Sequence, residues 1–178
     1  MKIVKTALPD VLVIEPDVYT DKRGFFLETY RQERYAGIGI NEHFVQDNLS
    51  GSVKYTLRGL HFQVRYPQSK LVQTIMGDIF DVAVDMRADS ATFGNWAGVY
   101  LSGENRKQLF IPAGFAHGFC VLSDTALVSY KSSENYHPED DAGIRWSDPE
   151  LNIAWPIKNP ILSEKDSRLP LLSEITRL

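Results

Sequence analysis

The sequence predicts an all-β fold, a jelly-roll barrel with short helices at the periphery and in a C-terminal tail. Three observations predict it. Short apolar runs of strand length recur along the chain, turn signals separate them, and no long amphipathic helix interrupts them. Many short strands with regular turns imply a sandwich or barrel. A jelly roll is the economical choice for one enzyme-sized β domain, and its mouth or lumen is a natural ligand site.

The first strand spans 11–14 and stops at Glu15-Pro16. Asp21-Lys22-Arg23-Gly24 is a turn signal before an aromatic-rich strand over 24–30. Residues 31–36 form the best short helical segment, ended by Gly37 and Gly39. A strand over 44–48 alternates polar residues at Gln46 and Asn48. Strands over 70–76 and 79–86 flank Gly77-Asp78, a candidate two-residue hairpin turn, and Phe80, Val82, Val84 and Met86 share one face. Segments 96–101, 108–111, 118–122 and 126–131 continue the series. From Asp148 onward prolines accumulate, so this tail should wrap the barrel as loops with a short turn near 163–166. Neither repeats nor a linker divide the chain, so residues 1–178 are expected to form a single domain.

Composition narrows the function classes. With 178 residues, 43% apolar and 24% charged, the chain is ordinary for a globular protein with a substantial core. A formal net charge of −4 argues against general nucleic-acid binding. An anionic ligand therefore needs a local basic pocket. The single cysteine, Cys120, lies in an apolar strand and reads as a packed thiol. No long apolar run suggests a signal peptide or membrane span, so a cytoplasmic location is the expectation.

One stretch stands apart. Arg58-Gly59-Leu60-His61-Phe62-Gln63, followed by Lys70, puts two cations and an imidazole in or beside apolar strands. Charge at the wall of a β core is costly unless something uses it. A base beside fixed positive charge can remove a proton next to a carbonyl and hold the enolate. The plain alternative is a structural Arg–His pair on a strand. Other residues read more simply. Phe25-Phe26 reads as core, Tyr130 by itself as a packed tyrosine, and His43 and His137 as surface groups. Asp81 and Asp85 alternate away from the apolar face, as on a solvated or hydrogen-bonded sheet face. Trp146 and Trp155 read as packing anchors for the tail.

Pro112-Ala113-Gly114-Phe115-Ala116-His117 resembles the second conserved box of the cupin superfamily, Pro-x-Gly-x-x-His. Many cupins bind a transition metal through this histidine and an earlier His-x-His box. Here that earlier box is missing, because Phe62 and Gln63 follow His61. A two-His-one-carboxylate site assembled across strands stays open. The preferred reading is a cupin-type barrel without metal, whose histidines do acid–base work.

Together with Phe44-Val45-Gln46-Asp47-Asn48, Lys70-Leu71-Val72 and Phe80-Asp81-Val82-Ala83-Val84-Asp85, these segments resemble the dTDP-4-dehydrorhamnose 3,5-epimerase family over nearly the whole chain. The resemblance implies a cofactor-independent isomerase acting on dTDP-4-dehydro-6-deoxy-D-glucose at C3 and C5, both α to the C4 ketone. It implies His61 as base, Asp166 as its orienting partner, Lys70 as support for the enolate oxygen, and Tyr130 as the acid on the opposite face. It implies Arg23, Phe26, Glu28, Gln46, Asp47, Asn48, Arg58, His117, Tyr136, Asp141 and Lys165 as substrate-binding residues, with Tyr136 stacking on the thymine. Neighbouring Asp140 leaves the Asp141 position open by one residue. The family also implies a homodimer with exchanged N-terminal strands. Rival readings are an epimerase acting at C3 or C5 alone, a metal-dependent cupin oxygenase, and a non-catalytic sugar-nucleotide binding module.

Overall fold

In the computed structural model, which describes residues 1–175, strands dominate. In chain order they are β1 (Lys2–Lys5), β2 (Leu12–Glu15), β3 (Val18–Asp21), β4 (Gly24–Leu27), β5 (Gln46–Val53), β6 (Leu57–Gln63), β7 (Lys70–Met76), β8 (Asp78–Asp85), β9 (Trp96–Ser102), β10 (Gln108–Ile111), β11 (Phe115–Val121), β12 (Thr125–Ser132) and β13 (Asp141–Gly143). Helix α1 (Gln32–Ala36) follows β4, and α2 (Glu164–Ser167) lies in the tail. One sheet runs β1-β2-β10-β7-β12-β5 and the other β13-β6-β11-β8-β9, with antiparallel pairing within each. This is the expected cupin-type jelly roll.

Alternation along the strands makes three apolar layers. Val72, Val128, Leu109 and Val13 of the first sheet meet Ile79, Ala83, Phe115 and Phe119 of the second in the barrel interior. The outer face of the second sheet, with Phe80, Val82, Val84 and Met86, is covered by the tail through Ile144, Leu151, Trp146 and Trp155. Trp155 Nε1–H donates to Trp146 O at 2.8 Å, so the two tryptophans do anchor the tail. Tyr35 of α1 and Ile40 cover Ile14, Leu71 and Phe110 on the outer face of the first sheet.

Several local expectations need correction. Gly77-Asp78 is no hairpin turn: β7 and β8 belong to different sheets, and Gly77 is the corner between them. A Cβ there would lie 2.1 Å from Thr125 O, so the corner is packed too tightly for a side chain. The strand expected over 44–48 instead starts at Gln46 and runs to Val53, paired along its length with β12. The aromatic strand ends at Leu27 and pairs only with β3, as a two-stranded ribbon apart from both sheets. Phe25 and Phe26 are therefore exposed, at 55% and 71%, rather than core. Asp81 and Asp85 are fully buried, so their face is hydrogen-bonded and not solvated. Asp85 ties Arg87, Ser90 and Thr92 into the turn after β8. Cys120 is buried, as expected.

The pairing of β6 with β11 explains the Arg58–His61 spacing. In a regular strand, residues three apart point to opposite faces. Here His61 pairs with His117 and Arg58 with Phe119, so three steps on β6 match two on β11. The extra residue is a β-bulge. It resets the alternation, so that Arg58 and His61 both line a cavity on the inner side of the sheet while Leu57, Leu60 and Phe62 pack outward under the tail. The bulge requires two facing glycines. A Cβ on Gly59 would sit 2.5 Å from Gly118 Cα, and a Cβ on Gly118 would sit 2.6 Å from Arg58 O. Gly59 also has φ +119°, a region that side chains disfavour.

Gly118→Ala should destabilise the protein by about 1–3 kcal/mol, the usual cost of overpacking a core. Urea denaturation measures this, and Ala116→Gly on the same strand, which creates no clash, serves as the comparison.

Candidate active site

The cavity lies between the two sheets, as two adjoining lobes of about 280 Å³ and 250 Å³ that share His61, Lys70 and Tyr130. His61 comes from β6 of one sheet, while Lys70 (β7) and Tyr130 (β12) come from the other. The imidazole and the phenol thus reach the cavity from opposite walls.

The tail completes the wall beside His61. Ile161 bridges to Thr56 in parallel, with Leu57 N–H donating to Ile161 O at 3.0 Å, and this docking carries α2 against β6. Ser163 caps α2, its Oγ accepting from Asp166 N–H at 3.0 Å. Asp166 then accepts a 2.7 Å hydrogen bond from His61 Nε2–H, across 105 residues of sequence. Burial raises the Asp166 carboxyl, but the hydrogen bond and electrostatic attraction from the His61 ring, with Ser163 and the Gly59 backbone, outweigh it and hold the acid below its ordinary value. The other ring nitrogen of His61, Nδ1, has no hydrogen-bond partner among the described residues. Such a dyad fixes the ring and leaves one nitrogen able to take a proton.

Lys70 is 8% exposed and has no hydrogen bond or ion pair among the described residues. Burial pushes its ammonium down to about 8, opposed by the charges of Asp141 and Asp81. An unpaired buried cation is a poor structural element and a good partner for a developing oxyanion. Tyr130 is raised above its ordinary value by burial first, with Arg58 opposing and Asp141 adding to the shift. It stays a neutral phenol, able to donate a proton. His117 pairs directly with His61 across β6 and β11, and its Nε2–H donates to buried Asp81 at 2.6 Å. Arg58 is exposed at the rim, its Nε–H donating to Ser52 Oγ at 3.0 Å.

The lobe lined by Gln46, Asn48, Tyr136 and Asp141 is polar. Asp141 accepts from the Tyr136 hydroxyl at 2.8 Å and from Lys165. Asp140 instead is buried, accepting from the backbone N–H groups of Arg65 and Tyr66. Of the two, Asp141 faces the cavity. Gln46 Nε2 donates to Asn48 Oδ1 at 2.8 Å, and Asp47, on the outward side of β5, pairs with Lys131. His137 is not a free surface group, since its ring stacks on Tyr66 at 4.1 Å. His43 is exposed.

Four expected residues lie outside the cavity: Asp47, outward on β5, and Arg23, Phe26 and Glu28. Arg23 and Phe26 line a separate hollow on the β3–β4 ribbon, where Arg23 pairs with Asp21. Glu28 pairs with Arg34. The ribbon pairs with neither sheet, and none of these three lines either lobe of the cavity. Conversely, sequence reasoning missed Ser50, Gln68 and Ser132, which line the cavity. The Oγ atoms of Ser50 and Ser132 are buried without partners among the described residues. Alternation would have found Ser50, two residues after Asn48, and Ser132, two after Tyr130. No group of three His, Cys, Asp or Glu among the described residues is arranged to hold a metal ion. No described helix is long and apolar enough to cross a membrane.

The buried ammonium carries a stability cost with a defined pH dependence. Lys70 loses its proton near 8 in the fold and near 10.5 when unfolded, so the cost is complete below about pH 8 and fades as pH rises to 10.5. Lys70→Met should stabilise the protein at pH 7 by on the order of 2 kcal/mol. Urea unfolding of both proteins at pH 7 and pH 10 should show that difference shrinking at the higher pH.

Comparison with known proteins agrees with this geometry. The sequence profile of dTDP-4-dehydrorhamnose 3,5-epimerase matches residues 5–174. The chain is 53% identical over 176 residues to the dTDP-4-dehydrorhamnose 3,5-epimerase of Methanothermobacter thermautotrophicus, covering 97% of this chain and 95% of that one. It is 52% identical over 181 residues to the enzyme of that name from Escherichia coli K12, covering 100% and 98%. A crystal structure of dTDP-6-deoxy-D-glucose-3,5-epimerase from Legionella pneumophila, in complex with dTDP-4-keto-L-rhamnose, superposes with a TM-score of 0.96. It has 49% identity and covers 98% of this chain and 94% of that one. The barrel, the His61–Asp166 couple and these similarities lead to one conclusion: the chain belongs to the dTDP-4-dehydrorhamnose 3,5-epimerase family.

Proposed function

We propose that this chain, acting as a single domain, is an isomerase that converts dTDP-4-dehydro-6-deoxy-D-glucose to dTDP-4-dehydro-L-rhamnose, inverting C3 and C5 in the dTDP-rhamnose pathway. One observation carries the chemistry: a carboxylate-held imidazole and a neutral phenol face one cavity from opposite sheets, with an unpaired ammonium beside them.

The substrate's C4 ketone acidifies the hydrogens on C3 and C5. His61, held at Nε2 by Asp166, removes one of them through Nδ1. Charge moves onto the C4 oxygen, where Lys70 stabilises the enolate. Tyr130 then returns a proton to the same carbon from the other face, and the centre inverts. Proton transfer by a positioned group contributes about 10²–10⁴-fold. The ketone supplies the electron sink, so the proposed reaction is cofactor-independent. Arg58 and Lys165 meet the diphosphate, His117 supports the sugar, and Gln46, Asn48, Tyr136 and Asp141 hold the nucleoside end. The base stacks on Tyr136, a contact worth about 1–3 kcal/mol.

We further propose that the working unit is a homodimer. The β3–β4 ribbon pairs with neither sheet of its own chain and exposes Tyr19, Phe25 and Phe26 at 62%, 55% and 71%. A second copy would receive that ribbon at the mouth of its cavity, adding Arg23, Phe26 and Glu28 to the nucleotide site.

Incubation with dTDP-4-dehydro-6-deoxyglucose in deuterated water, read by NMR, should place deuterium at both C3 and C5. Label at one carbon would make the enzyme a mono-epimerase, and label at neither would overturn the reading. His61→Ala should abolish exchange, whereas Tyr130→Phe should retain exchange and lose inversion. Analytical ultracentrifugation should give twice the chain mass, and Phe26→Ala should weaken dTDP binding about tenfold in calorimetry. A monomer that binds dTDP equally well with Ala at this position would refute the shared site.

A further inference from the structure

The site contains a second histidine–carboxylate couple to which the proposed reaction gives no chemical step. His117 and His61 are directly paired residues of adjacent strands, and each gives Nε2–H to its own aspartate, Asp81 and Asp166. The two carboxylates differ in their surroundings. Asp166 is held by His61 and Ser163, from a helix at the protein edge. Asp81 sits at 0% exposure in mid-strand on β8, flanked on its face by Ile79 and Ala83 of the apolar interior. Its Oδ1 takes the His117 hydrogen bond, while its Oδ2 is buried with no hydrogen-bond partner among the described residues.

A carboxylate with one bare oxygen in an apolar core is expensive. As a purely structural element it would be better replaced by an apolar side chain. Its charge acts on Lys70 across the interior, opposing the burial that drives the ammonium to lose its proton. Asp141 acts in the same direction from the polar lobe. That carboxylate, however, already accepts from Tyr136 and Lys165. Asp81 has no cationic Lys or Arg partner among the described residues. The other charged or titratable groups that share a lobe with Lys70 are Arg58 and Lys165, Tyr130 and Tyr136, the two imidazoles and Asp166. Arg58 and Lys165 disfavour a further positive charge. From the strands paired with β7, Ile111 and Ser132 lie opposite Lys70 and carry no charge.

We propose that Asp81 is a positioning residue of this site: its buried carboxylate holds His117 through Nε2 and supplies the negative charge that keeps Lys70 an ammonium while the enolate forms. This rests on the epimerase reading for its consequence, but the Asp81–Lys70 link itself is independent of the substrate. In this role Asp81 touches no reacting atom. It acts through Lys70 and His117.

The test is Asp81→Asn, which keeps the shape and the acceptor for His117 and removes the charge. NMR of ¹⁵N-labelled lysine side chains, with the Lys70 signal assigned by its loss in Lys70→Arg, follows the ammonium titration directly. In the wild-type protein its midpoint should lie near 8. In Asp81→Asn it should fall by about 1 pH unit, as expected on removing a nearby opposite charge. The alkaline limb of kcat against pH should move down by the same amount, about a tenfold loss above that limb, with KM little changed. Asp81→Ser provides the same readout with a smaller side chain should the amide disturb folding. An unshifted Lys70 midpoint in a folded variant would overturn the proposal. Should the wild-type enzyme fail to exchange hydrogens in the dTDP sugar, the epimerase reading falls, while the NMR titration still decides the Asp81–Lys70 link.

Discussion

The site depends on one extra residue. A β-strand presents alternate side chains to alternate faces, so a cation and a base three residues apart cannot both face a barrel interior. The bulge opposite Gly118 removes that restriction. It costs two glycines that must stay bare, because each backbone fills the space where the other's Cβ would be. In return Arg58 and His61 face the cavity while Leu57 and Leu60 keep the outer core closed. Rim charge, base and packed wall all come from one seven-residue strand.

Around that strand the barrel places unlike groups on unlike walls. The five-stranded sheet supplies His61, His117 and Asp81, and the six-stranded sheet supplies Lys70 and Tyr130. Inversion at carbon needs a proton taken from one side and returned from the other, and two facing sheets provide two sides without any moving part. The same interior is a low-dielectric space, in which a lone ammonium is costly and correspondingly effective toward a forming oxyanion. The destabilisation of Lys70 and its usefulness therefore have the same physical origin.

Much of this was legible in the residues. Turn-separated apolar runs gave the all-β class, and the alternation of Phe80, Val82, Val84 and Met86 identified a real packing face. The Arg58–His61–Lys70 stretch pointed to chemistry before any resemblance was invoked. Other features were not local properties. Gly77-Asp78 has the composition of a hairpin turn, and only sheet membership shows it to be a corner. Phe25-Phe26 has the composition of core, yet its ribbon finds no sheet to join. Asp81 looked like a face-outward polar residue because alternation alone does not say which face is inside. Asp140 and Asp141 were indistinguishable in sequence; hydrogen bonding to Arg65 and Tyr66 separates them. Asp166 could be matched to His61 only by resemblance, since nothing in a sequence spacing of 105 predicts a contact.

That long spacing also bears on when the protein becomes active. His61, Lys70 and Tyr130 lie within residues 57–132, which are made before Ser163 and Asp166. Until the tail is made, His61 has no carboxylate to hold its ring, and the outer face of its sheet has no cover from Leu151 and Trp155. The segment that buries this apolar face runs on into the one that holds the imidazole. One tail thus holds two parts in sequence, the cover over the sheet at residues 144–157 and the carboxylate at 166, so a chain stopped just before residue 166 still carries Leu151 and Trp155 but lacks the group that holds the His61 ring.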